Sequence, residues 1–347
     1  MRSPDAIILG CAAAVATALL LLTARIKRRR SPPQVVQTQT LSLRELPRAA
    51  VPAELLVSTY FNLDAATSRG FDHVEYLRSC FDVSAVLDGL HDYAVATIER
   101  FIEEQRRSAI LASDTSLRDL EMLGWVVQGS SGTVVIEEGA AFAPERVLGG
   151  DATLYVCRGA RVSGGAFDLS AGSIFLGANT VVEPGTLVRG PTLVGTGVTL
   201  RHGAYVRGDV VLGANGVFGG ELKNVLALDE AELPHTGYCG DSLLGHHAHF
   251  GCGAVTANFP LFAASRPVLT VHGTRYDLGR TKFGAVLGDG SQLGCNSVTE
   301  PGCLIAPDTH AYPLCRLARG AYGPHELLKN RPTIERAPLR RPAAAKG

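Results

Sequence analysis

The chemistry-bearing residues of this 347-residue chain gather in one stretch, from Glu221 to Asn258. His235 stands twelve residues after Lys223 and three before Tyr238, and Asn258 closes the stretch. A histidine titrates near neutral pH and can take a proton from a nucleophile. Lysine and arginine are fixed cations suited to a phosphate, and Arg207, Lys223 and Lys282 supply them. Tyrosine and asparagine can orient a polar substrate by hydrogen bonds, although asparagine also suits a tight backbone corner. The triplet Gly251-Cys252-Gly253 offers backbone N–H groups that could face a developing oxyanion. His246, His247 and His249 beside Cys252 invite a metal reading. The plainer reading of those histidines is a solvated face.

The elements that must position these residues are written in a period of six. Leu176, Val182, Val188, Val194, Leu200, Val206, Leu212 and Phe218 are spaced six apart. Neither a helix nor a flat strand needs that period. A triangular coil does, because one inward residue per six-residue face fills its bore. The fold class is therefore mainly β, a left-handed parallel β-helix of hexapeptide repeats. Small or β-branched residues follow four places later, at Thr180, Thr186, Thr192, Val198, Ala204 and Val210, as tight corners and short strands require. The pattern lapses after Phe218 and resumes at Leu244, Phe250, Leu287, Leu293, Thr299 and Ile305. The lapses predict loops that leave the coil, where function concentrates.

Composition narrows the rest. Formal net charge is zero, so no general electrostatic case for nucleic acid arises. The 39 glycines suit a repeat protein. The eight cysteines form no CxxC pair, which argues for free thiols in a reducing compartment and against a zinc ribbon. Ala6 to Thr23 is an uncharged run of eighteen residues followed by Arg25, Lys27, Arg28, Arg29 and Arg30. As a helix it would be ~27 Å long against a hydrocarbon core of ~30 Å. It reads as a single-pass membrane anchor with the bulk of the chain on the cytosolic side. A signal peptide would carry its charge before the run, and organelle targeting is the alternative. The expected organisation is an anchor with basic flank at 1–30 and a proline-bearing linker at 31–53. A helical cap region follows at 54–125, packed on the open end of the coil, then the β-helix at 126–320. A partly disordered tail at 321–347 completes the chain.

Four linked blocks carry a family resemblance. They are Glu221-Leu222-Lys223-Asn224; Pro234-His235 with Tyr238 and Gly240-Asp241-Ser242; Gly251-Cys252-Gly253 through Ala257-Asn258; and Lys282-Phe283-Gly284-Ala285-Val286-Leu287-Gly288-Asp289-Gly290 with Gly294-Cys295-Asn296. Together they resemble the left-handed β-helix acyltransferase half of the GlmU-like bifunctional sugar-1-phosphate acetyltransferase/nucleotidyltransferases, over roughly residues 55 to 320. The resemblance implies N-acetyl transfer from acetyl-CoA, as cosubstrate, to the amine of glucosamine 1-phosphate or a similar amino-sugar phosphate. That reaction is a step towards UDP-N-acetylglucosamine. It implies His235 as the base, Lys223 and Arg207 on the phosphate, and Tyr238 and Asn258 on the sugar. Cys252, Gly253, Lys282 and Cys295 would serve the acyl donor. It further implies a homotrimer with sites between neighbouring coils and no metal for acetyl transfer. Nucleotidyltransferase activity is not expected, since nothing before Gly129 can supply that domain, and a partner nucleotidyltransferase would then complete the pathway.

The chain departs from the pattern at Gly237, His249 and Cys252, where the family carries asparagine, asparagine and alanine. After Asn258 the usual nearby lysine is replaced by a loop offering Arg266. A catalytically degenerate, membrane-tethered scaffold or sugar sensor is therefore a second reading. A γ-carbonic-anhydrase-like metalloenzyme is a minor third, weakened because position 250 is Phe where that family wants a metal-binding histidine.

Overall fold

The computed structural model describes residues 39–122, 127–129, 131–261 and 266–331, and the compact unit described below begins at Thr40. The six-residue period closes into a parallel β-helix. Ile174 pairs with Thr192 and Thr192 with Val210, so one coil takes 18 residues. Face one is a ten-stranded parallel sheet running from Ala141–Phe142 to Leu327–Leu328. Face two holds Leu187–Arg189, Tyr205–Val206, Val255–Thr256 and Val298–Thr299. Face three holds Thr153–Val156, Ile174–Leu176, Val210–Leu212 and Ala285–Leu287. The strands Glu221–Ala227 and Tyr238–Leu244 bend around the corner and join faces two and three.

All eight residues of the six-spaced series are fully buried, and they form one apolar column along the bore. Thr180, Thr186 and Thr192 are buried at the corners. Their hydroxyls donate to the carbonyls of Gly195, Glu183 and Arg189 at 3.2, 2.8 and 2.6 Å. A polar group can be buried there because its hydrogen bond is made. Strand Leu111–Ser116 pairs antiparallel with Thr133–Glu137, and the short helix Leu117–Met122 follows it. Leu117 and Leu120 join the bore column and plug its first coil.

The long helix Val83–Ser108 does not sit over the end of the coil, as expected of a cap. It lies along face three. Val86, Leu87, Leu90, Ala94 and Ile98 pack on Tyr155, Phe175, Leu193, Val211, Leu226 and Leu243, the outward residues of that face. Strands apolar on both sides must be covered on both, and the lateral helix is that cover. Asp82 caps its N-terminus by accepting from the amides of Ser84 and Ala85.

The expected linker and tail also differ. Thr40–Ser42 is a strand paired in parallel with Thr274–Asp277, part of an excursion between Val255–Thr256 and Ala285–Leu287. Leu43 and Leu55 are buried in the helix-covered core. Local composition does not show such long-range pairing. Leu327–Leu328 completes a further turn of face one beyond residue 320.

The membrane expectation is corrected. Among the described residues, no helix is long and apolar enough to cross a membrane. The run Ala6 to Thr23, on which the anchor and the cytosolic placement rested, lies outside the described residues.

Two tests of this packing follow. Phe218 fills the bore, so Phe218→Ala should destabilise by about 3–5 kcal/mol, read as a lower urea midpoint. His73 is buried and bonded to the Tyr93 hydroxyl at 2.7 Å. Burial first, with Arg100 nearby, lowers its pKa from 6.5 to about 4. The unfolded chain therefore takes up a proton that the fold refuses, so stability is complete above the unfolded pKa and falls as pH drops towards 4. His73→Phe should flatten the midpoint-versus-pH curve over that window; an unchanged slope would remove His73 as its source.

Candidate functional site

The site residues sit around face two. At the corner from face two to face three, Asp209, Asn224 and Asp241 occupy successive coils with φ of 55°, 54° and 46°. That left-handed conformation suits Asp and Asn better than other side chains. It turns their short polar groups into one cluster. Asp241 is its centre. Its Oδ1 accepts from Asn224 Nδ2 at 2.8 Å and from Arg280 at 3.2 Å, and its Oδ2 accepts from Asn258 Nδ2 at 2.6 Å. Asn258 Nδ2 also donates to the Tyr238 hydroxyl at 2.8 Å. The Asp241 and Arg280 side chains are 8% and 13% exposed, so this is a buried, satisfied ion pair. Arg280 continues to Asp88, which also takes Arg44 at 2.7 Å, tying the long helix to the corner. Burial first, then Asp241 and Glu221, holds the Tyr238 hydroxyl above its ordinary pKa and keeps it protonated.

Lys223 lies one coil away. Its ammonium pairs with Asp209 and reaches the Gly208 carbonyl at 3.4 Å. The other oxygen of Asp209 accepts from His91 Nδ1 at 2.6 Å. Burial pushes the Asp209 carboxyl up, but the hydrogen bonds and charges of Lys223 and His91 outweigh it and hold the group below the usual carboxylate range. Arg207 pairs with Glu221 at 2.6 Å and lies 5.7 Å from the Tyr205 ring centroid. Thus both expected phosphate cations are already matched by carboxylates of this chain.

His235 stands at the opposite edge, on the corner from face one to face two. It is exposed, and among the described residues its ring has no hydrogen-bond or ion-pair partner. It lines a cavity of about 290 Å³ with Glu183, Arg201 and His202. Cys252 and Gly253 follow on the next coil, where Gly253 N–H donates to Thr236 O at 2.7 Å, and Cys295 stands one coil further. Both thiols are exposed. Gly253 has φ of 74°, and a Cβ there would meet Asn296 Oδ1 at 2.2 Å, so only glycine fits. The oxyanion expectation for this triplet needs correction, because Gly251 and Gly253 spend their N–H groups on Leu293 and Thr236 carbonyls. Only the Cys252 N–H is left.

Lys282 is exposed and lies beside Asn258, since Phe283 N–H donates to Asn258 O at 2.9 Å. The structure therefore divides the expected donor set. Cys252, Gly253 and Cys295 share the His235 edge, whereas Lys282 joins Lys223, Tyr238 and Asn258 at the other. The histidine–cysteine cluster does not converge either. His246 and His247 occupy the corner from face three to face one, His249 pairs with Glu232 at 2.9 Å on face one, and Phe250 is buried in the bore. Asp209, Arg280 and His91 are participants that sequence reasoning did not single out, and Asn224 and Asp241 stood there only within the resemblance blocks, with no role assigned. The legible signal was a run of Asp and Asn at one corner position of successive coils.

Comparison with known proteins decides the type of coil. Over 234 residues the chain is 26% identical to the bifunctional protein GlmU of Exiguobacterium sibiricum, covering 62% of this chain and 44% of that protein. It is 31% identical over 149 residues to the uncharacterized acetyltransferase YaiX of Escherichia coli, covering 42% and 64%. It is 28% identical over 144 residues to a bifunctional sugar-1-phosphate nucleotidylyltransferase/acetyltransferase of Sulfurisphaera tokodaii, covering 41% and 36%. The coil is a GlmU-like β-helix domain. No family model matches the chain. The GlmU-like match spans less than half of the bifunctional relatives named here.

The Asp241 corner makes a sharp prediction. Asp241→Ala takes an acceptor from Arg280 and from two amides, Asp88 still pairing with the guanidinium, and should cost about 2–4 kcal/mol at ~1–3 per unsatisfied donor. Arg207→Ala removes a more exposed pair worth about 1 kcal/mol or less. Thermal melts that shift equally for the two variants would show that Asp241 does not hold the corner.

Proposed function

We propose that this GlmU-like domain is an acyltransferase that moves acetyl from acetyl-CoA to the amine of an amino-sugar phosphate of the glucosamine 1-phosphate type. The observation carrying this reading is the convergence of Arg207, Lys223, Tyr238 and Asn258 on one side of the coil, with His235, unpartnered among the described residues, on the other edge of the same face. The substrate phosphate would exchange with Asp209 and Glu221 for Lys223 and Arg207, both cations being suited to it. Tyr238, held protonated, and Asn258 would orient the sugar. His235 would take one proton from the sugar ammonium. The free amine would attack the thioester carbonyl, forming the C–N bond, and collapse of the tetrahedral adduct would break the C–S bond. The departing coenzyme A thiolate would take up the second proton, shed by the new amide nitrogen. Lys282 would meet a phosphate of the sugar or of coenzyme A, with Cys252, Gly253 and Cys295 lining the donor side.

The two edges of face two would meet between neighbouring copies of a homotrimer, a natural packing for a flat-sided prism. Tyr205 and Val298 on that face are 38% and 40% exposed, as a surface meant for covering would be. The product would be an N-acetylated sugar phosphate, a substrate for a nucleotidyltransferase on the way to UDP-N-acetylglucosamine. A second reading, a degenerate scaffold or sugar sensor, is favoured by the neutralisation of Lys223 and Arg207 within the chain.

A thiol-release assay separates the two. With acetyl-CoA and glucosamine 1-phosphate, the wild type should release coenzyme A only when both are present. His235→Ala should lower the rate by about 10²–10⁴-fold with the coil intact by circular dichroism. No release with any amino-sugar phosphate, from protein shown to be folded and trimeric, moves the reading to the scaffold; near-normal turnover in His235→Ala refutes the base.

A further inference from the structure

A third corner, from face three to face one, carries a different set of groups. Its left-handed position is filled along the coils by Asn179, Gly197, Asn215, Glu230, His247, Gly290, Asp308 and His325. Asn, Asp, His and Gly are the residues that most readily accept this conformation. Glu230 departs from that rule at φ of 61°, and His247 follows on the adjacent coil at 56°. The next position is Gly290, with no side chain to crowd His247.

The two positions bring ligands together. One donor atom each from Glu230, His246 and His247 lies within 4.8 Å of the other two. His247 Nε2 is 3.0 Å from Glu230 Oε2. A zinc ion at 2.0–2.1 Å from tetrahedral ligands spaces them about 3.3 Å apart, so that edge is already close to the required length and small side-chain rotations close the rest. The His246 and His247 rings are 4.1 Å apart between centroids. His246 Nδ1 lies 2.9 Å from the Asp229 carbonyl, which can only accept, so Nδ1 carries the proton and Nε2 keeps its lone pair. A carbonyl behind the imidazole is the arrangement that orients and tautomerises a metal-ligating histidine. His246 also lines a cavity of about 740 Å³ with Asn62, Arg69 and Asp289, so the site is open to solvent.

We propose that Glu230, His246 and His247 form a binding site for a borderline divalent transition-metal ion, zinc being the best-suited probe, with positions left open for water or another ligand. Two imidazoles and one carboxylate suit such ions over calcium or magnesium, which favour all-oxygen sets. The site lies on a different corner from His235 and from Lys223, and is independent of acetyl transfer.

Isothermal titration of Zn²⁺ into the full chain, carrying no added histidine tag, tests this. One equivalent should bind in the wild type. Glu230→Gln and His247→Asn should each weaken binding about tenfold or more, with circular dichroism unchanged. Asparagine is chosen at 247 because Asn179 and Asn215 already hold this corner conformation in other coils. His202→Asn, on another corner, should leave binding unaltered. No saturable Zn²⁺ binding, or binding that survives both cluster variants, overturns the proposal.

Discussion

The rest of the structure depends on the bore. A coil of three short faces encloses a channel that only one side chain per face can fill. Every described coil must therefore stack in register on the last, with its inward residue above the previous one. Burial of that column supplies the hydrophobic drive. The parallel ladder satisfies the backbone at the same spacing. A slip of one residue would turn the column outward, so the register that holds the fold also fixes which residues occupy each corner.

Corners are where this constraint becomes chemistry. Between faces two and three, left-handed Asp and Asn residues stack so that Asp241 gathers Asn224, Asn258 and Arg280. Between faces one and two, exposed His235 is followed along the column by Cys252 and Cys295. Between faces three and one, Glu230, His246 and His247 converge. Each corner repeats one backbone shape and differs in the groups it displays, so one scaffold carries three separate polar columns. The long helix stabilises the first of these from outside, through Asp88 and His91, while covering the apolar exterior of face three.

Much of this was legible in the residues. The period of six identified the coil, but the lapse after Phe218, expected to be a loop, stays in the coil as Glu221–Ala227 and Tyr238–Leu244, and the excursion comes after Val255–Thr256. The Lys223, His235, Tyr238 and Asn258 spacing marked the polar stretch, and the four blocks pointed to a GlmU-like domain, which the comparisons support. A helical region at 54–125 was expected, but the resting place of its helix Val83–Ser108 was not. The clue lay in the outward Phe175, Leu193 and Val211, which make the face-three strands apolar throughout. Thr40–Ser42 passed for linker because its partner strand lies more than two hundred residues away.

The sequence by itself determined the repeat, the bore and the identity of the groups at each turn, because a period of six is a local property that recurs without reference to distant residues. Tertiary structure alone decided which of those groups meet. Stacking sets Leu243 against Val286 across the excursion, brings Arg280 to Asp88 and Asp241, and separates His235 from Lys282 despite their shared expected role. Partners at a corner are chosen by coil register and by how much chain each loop diverts, and neither is written in the spacing of any single segment.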